Sequence, residues 1–541
     1  MNSHKQRILD LIESMVANVQ KNVDKINDLN VFPVPDGDTG SNMLATLVSA
    51  WNNISDESNT DVEIFRDFSR GALLGARGNS GVITSQIIKG LAVGIEEVGT
   101  LSHDVADLRK ILRHSREYAY NAVANPVEGT ILSAVRALDE NYDREATSLE
   151  EAFSSLIEIA QAATDKTPEQ LPILKEAGVV DSGAYGFVLM LQGALSALEG
   201  NPITIIAAGE STEEEKFSKA DATKNIGYCT EFIVTLKDPE NFPKEEFNED
   251  LEKLGDSIVM IVEEDILKVH VHAKRPGQVF NLAQHYGEFG KIKAENMASQ
   301  AEDAGHSVEG ENFSINKEDA NKLAIVAVSN GVGLDEEFKA LGVDVVVSGG
   351  QSMNPSVEDF MKIIEKLPNK KIVLLPNNSN IILTADTVKQ NVEGKDIYVL
   401  PTKSLQQGLV ALYNMNKEML DFENFQEGII KEFQAINEGQ ITHAVRDTEM
   451  NGVKVTAGHF ISLKGKEILA STPSIIETYK SLVDKIVEDG GELITIIYND
   501  DVTTEEREEI VKYTESINDD IEVEVKYGGQ GVYHLLVFGE E

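Results

Sequence analysis

Along the first 200 residues apolar side chains recur at steps of three and four, and that spacing rules out a half-buried sheet there. Ile8, Leu11, Ile12, Met15, Val16, Val19, Val23 and Ile26 form the first such row. On a helix of 3.6 residues per turn they share one face. The pattern returns around 83–97, 105–123, 150–163 and 184–198, separated by loops rich in Gly, Asn, Asp and Pro. It predicts an all-α bundle with functional loops at its end. Residues 208–224 are polar, with Glu213, Glu214 and Glu215 in a row, and read as a linker. Strand-like runs follow at Glu231–Leu236, Ser257–Val262 and Ile266–Ala273, with helical stretches near 243–253 and 276–286, a small α+β unit. After another polar stretch at 298–320, short β-rich runs at 323–329, 343–348, 371–375 and 396–400 alternate with helices, which predicts a parallel α/β sheet. Beyond about 440 the pattern is hairpin-like, with Asn451-Gly452 and Lys464-Gly465 as turns, so this last region reads as two subdomains. The expected domains are 1–200, 223–297 and 318–541.

Charge narrows the partners. The chain has 48 Lys plus Arg against 91 Asp plus Glu, a formal net charge of −43. Nucleic acid needs a basic stripe to displace counterions, so it is an unsuitable partner, as is an anionic membrane surface. Cys229 is the single cysteine, so no internal disulfide forms and a reducing compartment fits. No apolar run approaches the ~20 residues of a membrane helix, and the N-terminus lacks a signal-peptide pattern. A soluble, cytoplasmic protein is expected.

The most informative segment is Asn30-Val31-Phe32-Pro33-Val34-Pro35-Asp36-Gly37-Asp38-Thr39-Gly40-Ser41-Asn42. Two prolines stiffen the approach, and a glycine between two carboxylates permits a tight turn. Magnesium prefers hard oxygen ligands, one or two carboxylates with phosphate and water. Asp36 and Asp38 suit it. Thr39 and the glycines would offer backbone N–H groups to a phosphate, and Ser41 could cap the next helix. The plainer alternative is a Pro/Gly/Asp turn between helices. Three further loops precede helices: Gly75-Ala76-Arg77-Gly78-Asn79-Ser80-Gly81, Glu128-Gly129-Thr130 and Asp181-Ser182-Gly183-Ala184. Such helix starts favour phosphate. Arg77 could neutralise charge developing in phosphoryl transfer, the alternative being a surface arginine. No G-x-x-x-x-G-K-[ST] occurs, so a P-loop kinase is excluded, and the protein-kinase signatures are also missing.

Together the segments N-V-F-P-V-P-D-G-D-T-G-S-N-M, G-A-R-G-N-S-G-V-I, E-G-T and D-S-G-A-Y-G resemble the nucleotide-binding DhaL domain of dihydroxyacetone kinases. They are closer still to the bacterial fatty acid kinase A proteins, whose three-part layout this chain also resembles. The resemblance implies an antiparallel helical barrel carrying ATP and two Mg²⁺ ions. It implies Asp36 and Asp38 as metal ligands, with Thr39, Asn42, Ser80, Gly81, Thr130 and Asp181 lining the nucleotide. Ser41, Asn79 and Gly129, in the same motifs, complete the cofactor-binding set. Dihydroxyacetone kinase L domains carry a third metal-binding aspartate upstream. Here the nearest candidate is Asn30, a weaker ligand, which puts strict two-metal geometry in doubt.

On a strand through Leu267–His272, residues two apart share a face, so His270 and His272 lie opposite Leu267, Val269 and Val271. With a thiolate from Cys229 on a neighbouring strand they would make a Cys-His-His set suited to Zn²⁺, with Glu231 or His285 as a fourth ligand. The alternative is a solvent-facing histidine pair and an unrelated cysteine. The resemblance to the middle domain of fatty acid kinase A strengthens the zinc expectation. In the last region the loops 348–356 and 376–380 follow apolar strands, where α/β sheets bind ligands, although ordinary capped turns explain them equally. By resemblance this region is a DegV-like two-subdomain fold that binds the carrier protein, and the chain is a homodimer.

The expected activity is ATP-dependent phosphorylation of a fatty acid carboxylate, presented by a separate fatty-acid-binding DegV-type carrier, giving an acyl phosphate for phospholipid synthesis. A carboxylate is already ionised near neutral pH, so no general base is needed. The rivals are a dihydroxyacetone or polyol kinase and a non-catalytic nucleotide-sensing scaffold.

Overall fold

The computed structural model describes residues 4–30, 37–101, 107–142, 146–205, 228–239, 242–263, 266–296, 322–349, 354–417, 422 and 424–540. It forms two compact units: residues 1–205 together with 315–541, and residues 206–314.

In the first unit the N-terminal region is helical: α1 (His4–Lys21), α2 (Val23–Asp28), α3 (Thr39–Asn52), α4 (Asp61–Gly75), α5 (Gly78–Val98), α6 (Leu108–Asn121), α7 (Ile131–Asn141), α8 (Leu149–Asp165), two short helices α9 (Thr167–Gln170) and α10 (Pro172–Ala177), and α11 (Ser182–Leu198). The long helices touch in the order α1, α3, α4, α5, α6, α7, α8, α11 and back to α1, a closed ring. Glycines set its spacing. A Cβ on Gly193 of α11 would lie 2.3 Å from the Ser14 carbonyl oxygen of α1, and one on Gly90 of α5 2.4 Å from the His114 carbonyl oxygen of α6. Backbones this close leave no room for a side chain. Inside the ring Ile12, Val16, Met43, Leu47, Phe68 and Val188 are fully buried. The ring also holds an apolar cavity of about 70 Å³ lined among others by Leu11, Phe65, Ile87, Leu138 and Met190.

The second unit runs β1 (Tyr228–Leu236), α12 (Lys244–Glu252), β2 (Gly255–Glu263), β3 (Ile266–Ala273), α13 (Pro276–Gln284) and β4 (Gly287–Asn296). Its antiparallel sheet has the order β2-β3-β1-β4, the split β-α-β arrangement. Phe232, Val234, Leu267, Val269 and Val271 are buried with Phe247 and Leu251 of α12 and Val279 and Ala283 of α13. Leu267, Val269 and Val271, expected to share one face of β3, thus face the core.

The C-terminal region, which belongs to the first unit, begins with β5 (Leu323–Ser329), α14 (Val332–Ala340), β6 (Val345–Ser348), α15 (Val357–Lys366), β7 (Lys371–Leu375), α16 (Ser379–Asn391), β8 (Asp396–Val399), α17 (Leu405–Tyr413) and α18 (Gln426–Ala435). Its four strands form one sheet in the order β6-β5-β7-β8, and every pair is parallel. The region ends with β9 (Asn437–His443), β10 (Thr448–Met450), β11 (Val453–Val455), β12 (Phe460–Lys464), β13 (Glu467–Thr472), α19 (Ile475–Glu488), β14 (Leu493–Tyr498), α20 (Thr504–Glu515), β15 (Glu522–Tyr527) and β16 (Leu535–Glu540). A six-stranded sheet there has the order β13-β12-β9-β16-β14-β15. Only β14 and β15 pair in parallel within it, because α20 crosses between them. Both predicted turns form: Asn451 and Gly452 take positive φ (52° and 76°) between β10 and β11, and Gly465 does so (60°) between β12 and β13. The helical ring, the α+β unit and the α/β C-terminal region agree with the predicted fold class. Among the described residues no helix is long and apolar enough to cross a membrane.

Candidate functional site

Four helix starts of the ring meet at one end. α3 begins at Thr39 with Asp38 in the N-cap position, α5 at Gly78, α7 at Ile131 after Thr130, and α11 at Ser182 after Asp181. Hydrogen bonds tie them together. Thr39 Oγ1 and Ser182 Oγ both donate to Asn30 Oδ1, at 2.9 and 3.1 Å. Ser80 Oγ lies 3.4 Å from Thr39 Oγ1. Asp181 Oδ2 accepts from the Ala184 N–H at 2.8 Å, and its carboxylate also takes backbone N–H groups of Ile131 and Gly183. Asp181 thus laces the start of α7 to the start of α11. Thr39 and Asn42 are only 7 % and 6 % exposed.

Electrostatics single out two carboxylates. Burial pushes the Asp38 carboxyl up to about 6, against the opposing hydrogen bonds from Asn42 and Asn354. Burial likewise pushes Asp181 up to about 6, against three backbone N–H groups. A cation beside Asp38 would favour its ionised form.

The structure places the predicted residues unevenly. Asn30, Asp38, Thr39, Asn42, Ser80, Thr130, Asp181 and the preceding Gly129 all lie at this end of the ring. Asp36 lies outside the described residues. Asn30 Oδ1 already accepts two hydrogen bonds, so a cation there would displace a hydroxyl. Ser41 does not cap α3; it sits inside the first turn, where its Oγ accepts from Asn27 Nδ2 at 3.0 Å. Asn27 of α2 performs the capping, since its Oδ1 accepts from the N–H of Gly40 (2.7 Å) and of Ser41 (3.3 Å). Those two N–H groups are thereby used, and the phosphate nest expected at this helix start shrinks accordingly. Gly81 has a packing reason to be glycine: a Cβ would stand 2.5 Å from Thr46 Oγ1. Thr130 caps α7 through its Oγ1, which accepts from the Leu132 N–H at 3.3 Å. Asn79 Nδ2 and the Arg77 backbone contact the C-terminal region.

Sequence reasoning missed Asn27 and Asn354. Asn354 follows β6 and places its Nδ2 2.5 Å from Asp38 Oδ2. Its predicted loop, at the carboxyl end of a parallel strand, thus reaches the metal-candidate carboxylate. Nothing local in the sequence marks either Asn27 or Asn354 for these roles.

The donors gathered here are a carboxylate, amide oxygens and hydroxyls, a set that suits a hard cation such as Mg²⁺. Asn354 Oδ1 is moreover buried without a hydrogen-bond partner among the described residues. Among those residues no group of three His, Cys, Asp or Glu side chains gathers to hold a metal. In the second unit the register pairs Cys229 with His272 and Glu231 with His270 across β1 and β3. The side chains of those four residues lie outside what is described. His285, exposed at the end of α13, has its ring Nδ1 2.6 Å from the Asn281 carbonyl oxygen.

Comparison with known proteins fits this layout. Residues 33–196 match the DAK2 domain, 225–304 the middle domain of FakA-like fatty acid kinases, and 324–540 the C-terminal domain of the same FakA-like proteins. An uncharacterized protein of Staphylococcus saprophyticus is 36 % identical over 541 residues, and one of Staphylococcus epidermidis 37 % identical over 546, each match covering 97 % of both chains. The chain belongs to the FakA-like family, a family of fatty acid kinases. Among solved structures, the dihydroxyacetone kinase of C. freundii in complex with AMP-PNP and Mg²⁺ is 18 % identical, covering 36 % of this chain and 35 % of that one, with a TM-score of 0.26. The fatty acid kinase B3 protein of Streptococcus pneumoniae loaded with linoleic acid is 10 % identical, covering 40 % and 99 %, with a TM-score of 0.29. At those scores neither likeness bears on activity.

Proposed function

We propose that this chain transfers a phosphoryl group from ATP, with Mg²⁺, to a fatty acid carboxylate presented by a separate fatty-acid-binding carrier of the DegV type. The observation that carries the reading is the meeting of four helix starts around Asp38, in a chain of the FakA-like family. Asp38, with Asp36 and Asn30, would hold the cation. Thr39, Ser41, Asn42, Asn79, Ser80, Gly81, Gly129, Thr130 and Asp181 belong to the nucleotide side, and Arg77 would offset charge on the transferring group. Bound Mg²⁺ would neutralise phosphate charge and fix the phosphate oxygens. The chain's own contribution is positioning. The hydroxyls of Thr39, Ser80 and Ser182 are held in one network by Asn30, and a cation taking Asn30 Oδ1 would free a hydroxyl proton to turn toward a phosphate oxygen. The acceptor carboxylate arrives ionised, so a site without a histidine base suffices. The product would be an acyl phosphate.

ATP consumption by the purified chain, with Mg²⁺ and with or without the fatty-acid-loaded carrier, tests this. Turnover should require both the carrier and its fatty acid. Asp38→Ala should reduce it by more than about a hundredfold, beyond the usual loss for a residue that merely supports a metal ligand, while the far-UV circular dichroism stays unchanged. Turnover on dihydroxyacetone instead would favour a polyol kinase, and nucleotide binding without turnover a scaffold. In the second unit, the Cys229–His272 register supports a zinc site completed by His270. One equivalent of zinc lost in Cys229→Ala, measured by elemental analysis, is the expected result.

A further inference from the structure

The C-terminal region reaches the phosphate-side end of the ring through several contacts. Arg446, between β9 and β10, donates to the carbonyl oxygens of Asp28 (3.1 Å) and Asn30 (2.5 Å). Asn79 Nδ2 donates to Asn380 Oδ1 at 3.2 Å. The Val357 N–H donates to the Ala76 carbonyl oxygen at 3.1 Å, and Arg77 pairs with Ser356 as an antiparallel bridge. These contacts grip the segment before Asp38 and the one that opens α5. Asn354 then delivers a side chain into the site itself.

Its orientation is informative. Against an ionised Asp38 it is the amide N–H₂ that stands 2.5 Å from the carboxylate oxygen, so Asn354 Oδ1 faces elsewhere. Asn354 is 3 % exposed, and Oδ1 has no hydrogen-bond partner among the described residues. A buried acceptor left unpaired is costly, and calls for a donor or a cation. Gly78 makes the approach possible: at φ +57°, a Cβ there would lie 2.7 Å from Asn42 Nδ2 and 3.2 Å from Asn354 Nδ2.

We propose that Asn354 is a positioning residue of the metal–nucleotide site, supplied by the C-terminal region. Its N–H₂ fixes the rotamer of Asp38, and its free carbonyl accepts from the hydration shell of the cation that Asp38 holds. The inference rests on the functional reading above. It makes the C-terminal region part of the nucleotide site in addition to any role toward a carrier.

The test uses the full chain, Mn²⁺ as the probe and AMP-PNP as the nucleotide, with free Mn²⁺ read by electron paramagnetic resonance. Asn354→Ala should weaken Mn²⁺ binding in the nucleotide complex about tenfold, the usual loss for a residue supporting a metal ligand. Its metal-free AMP-PNP affinity should stay within about twofold of wild type. Asn354→Asp keeps an oxygen acceptor there but replaces the N–H₂ donor to Asp38 with a second carboxylate, so it should bind Mn²⁺ more tightly than Asn354→Ala. Three results overturn the proposal. Unchanged Mn²⁺ affinity in Asn354→Ala, when Asp38→Ala has lost it, removes Asn354 from the site and leaves the kinase reading standing. Parallel losses in both Asn354 variants, accompanied by weaker metal-free nucleotide binding, mean that Asn354 only docks the region. A wild-type chain that binds no Mn²⁺ with AMP-PNP would end the inference and the functional reading together.

Discussion

Asp38 and Asp181 hold protons more tightly when folded than when unfolded, since burial lifts both from 3.8 to about 6. Between those values the folded chain binds more protons than the unfolded one, so stability falls as pH rises. Their contribution is fully present below about pH 4 and lost above about pH 6. A cation favours the ionised form, so its affinity moves the opposite way and rises through the same window. Calorimetry of Mg²⁺–nucleotide binding near pH ~5.5 should therefore show proton release, and near pH ~7.5 almost none. Equal proton release at both values would contradict the assignment of Asp38. At this scale Asp38, Thr39 and Asn42 are legible because their motif is contiguous. Asn27 is not, because a cap borrowed from the preceding helix replaces the Ser41 cap that spacing suggests.

Among the elements, the ring stands on glycines where two helix backbones touch. In α11, alanine has the better intrinsic helix propensity by about 1 kcal/mol. A Cβ on Gly193 would nevertheless meet the Ser14 carbonyl oxygen at 2.3 Å and Met15 Cα at 2.9 Å. Backbone cannot rotate aside as a side chain can, and overpacking costs about 1–3 kcal/mol. Gly193→Ala should thus lower the urea midpoint of the helical region, followed by circular dichroism at 222 nm. A raised midpoint would show that the α1–α11 seam is looser than described. Strongly periodic helices such as α1, α5, α8 and α11 are legible from their apolar rows. The helices α3 and α4 carry rows of the same kind, Met43, Leu47 and Ala50 in one and Ile64, Phe65, Phe68 and Ala72 in the other. Strand β4 escapes a periodicity reading, since Gly, Lys and Glu interrupt its few apolar residues, whereas the alternation Glu-Val-Glu-Val-Lys-Tyr of β15 is itself a strand signal.

For the whole molecule, a net charge of −43 sets a term that no single contact reports. Like charges repel in the compact state, and salt screens that repulsion over about 10 Å at 0.1 M. Raising NaCl from about 10 mM to about 150 mM should raise the thermal midpoint. A fall would mean that surface ion pairs such as Arg66–Glu96 and Lys110–Asp107 outweigh the global repulsion. Such exposed pairs are worth about 0–1 kcal/mol each, which is why the repulsive term is expected to win.

Local chemistry determined much of this protein before any folding. Apolar periodicity specified a helical first region and strand-rich later ones, and Asn451-Gly452 fixed a hairpin, because each depends on near neighbours alone. The motif around Asp38 likewise marked the metal-candidate loop. Tertiary structure alone decided that Asp181 laces α7 to α11 and that Asn354 meets Asp38. The last pair lies 316 residues apart in the chain. Their contact exists only because a strand-end loop of the C-terminal sheet docks on the helix starts, and no nearest-neighbour pattern encodes how two packed regions meet.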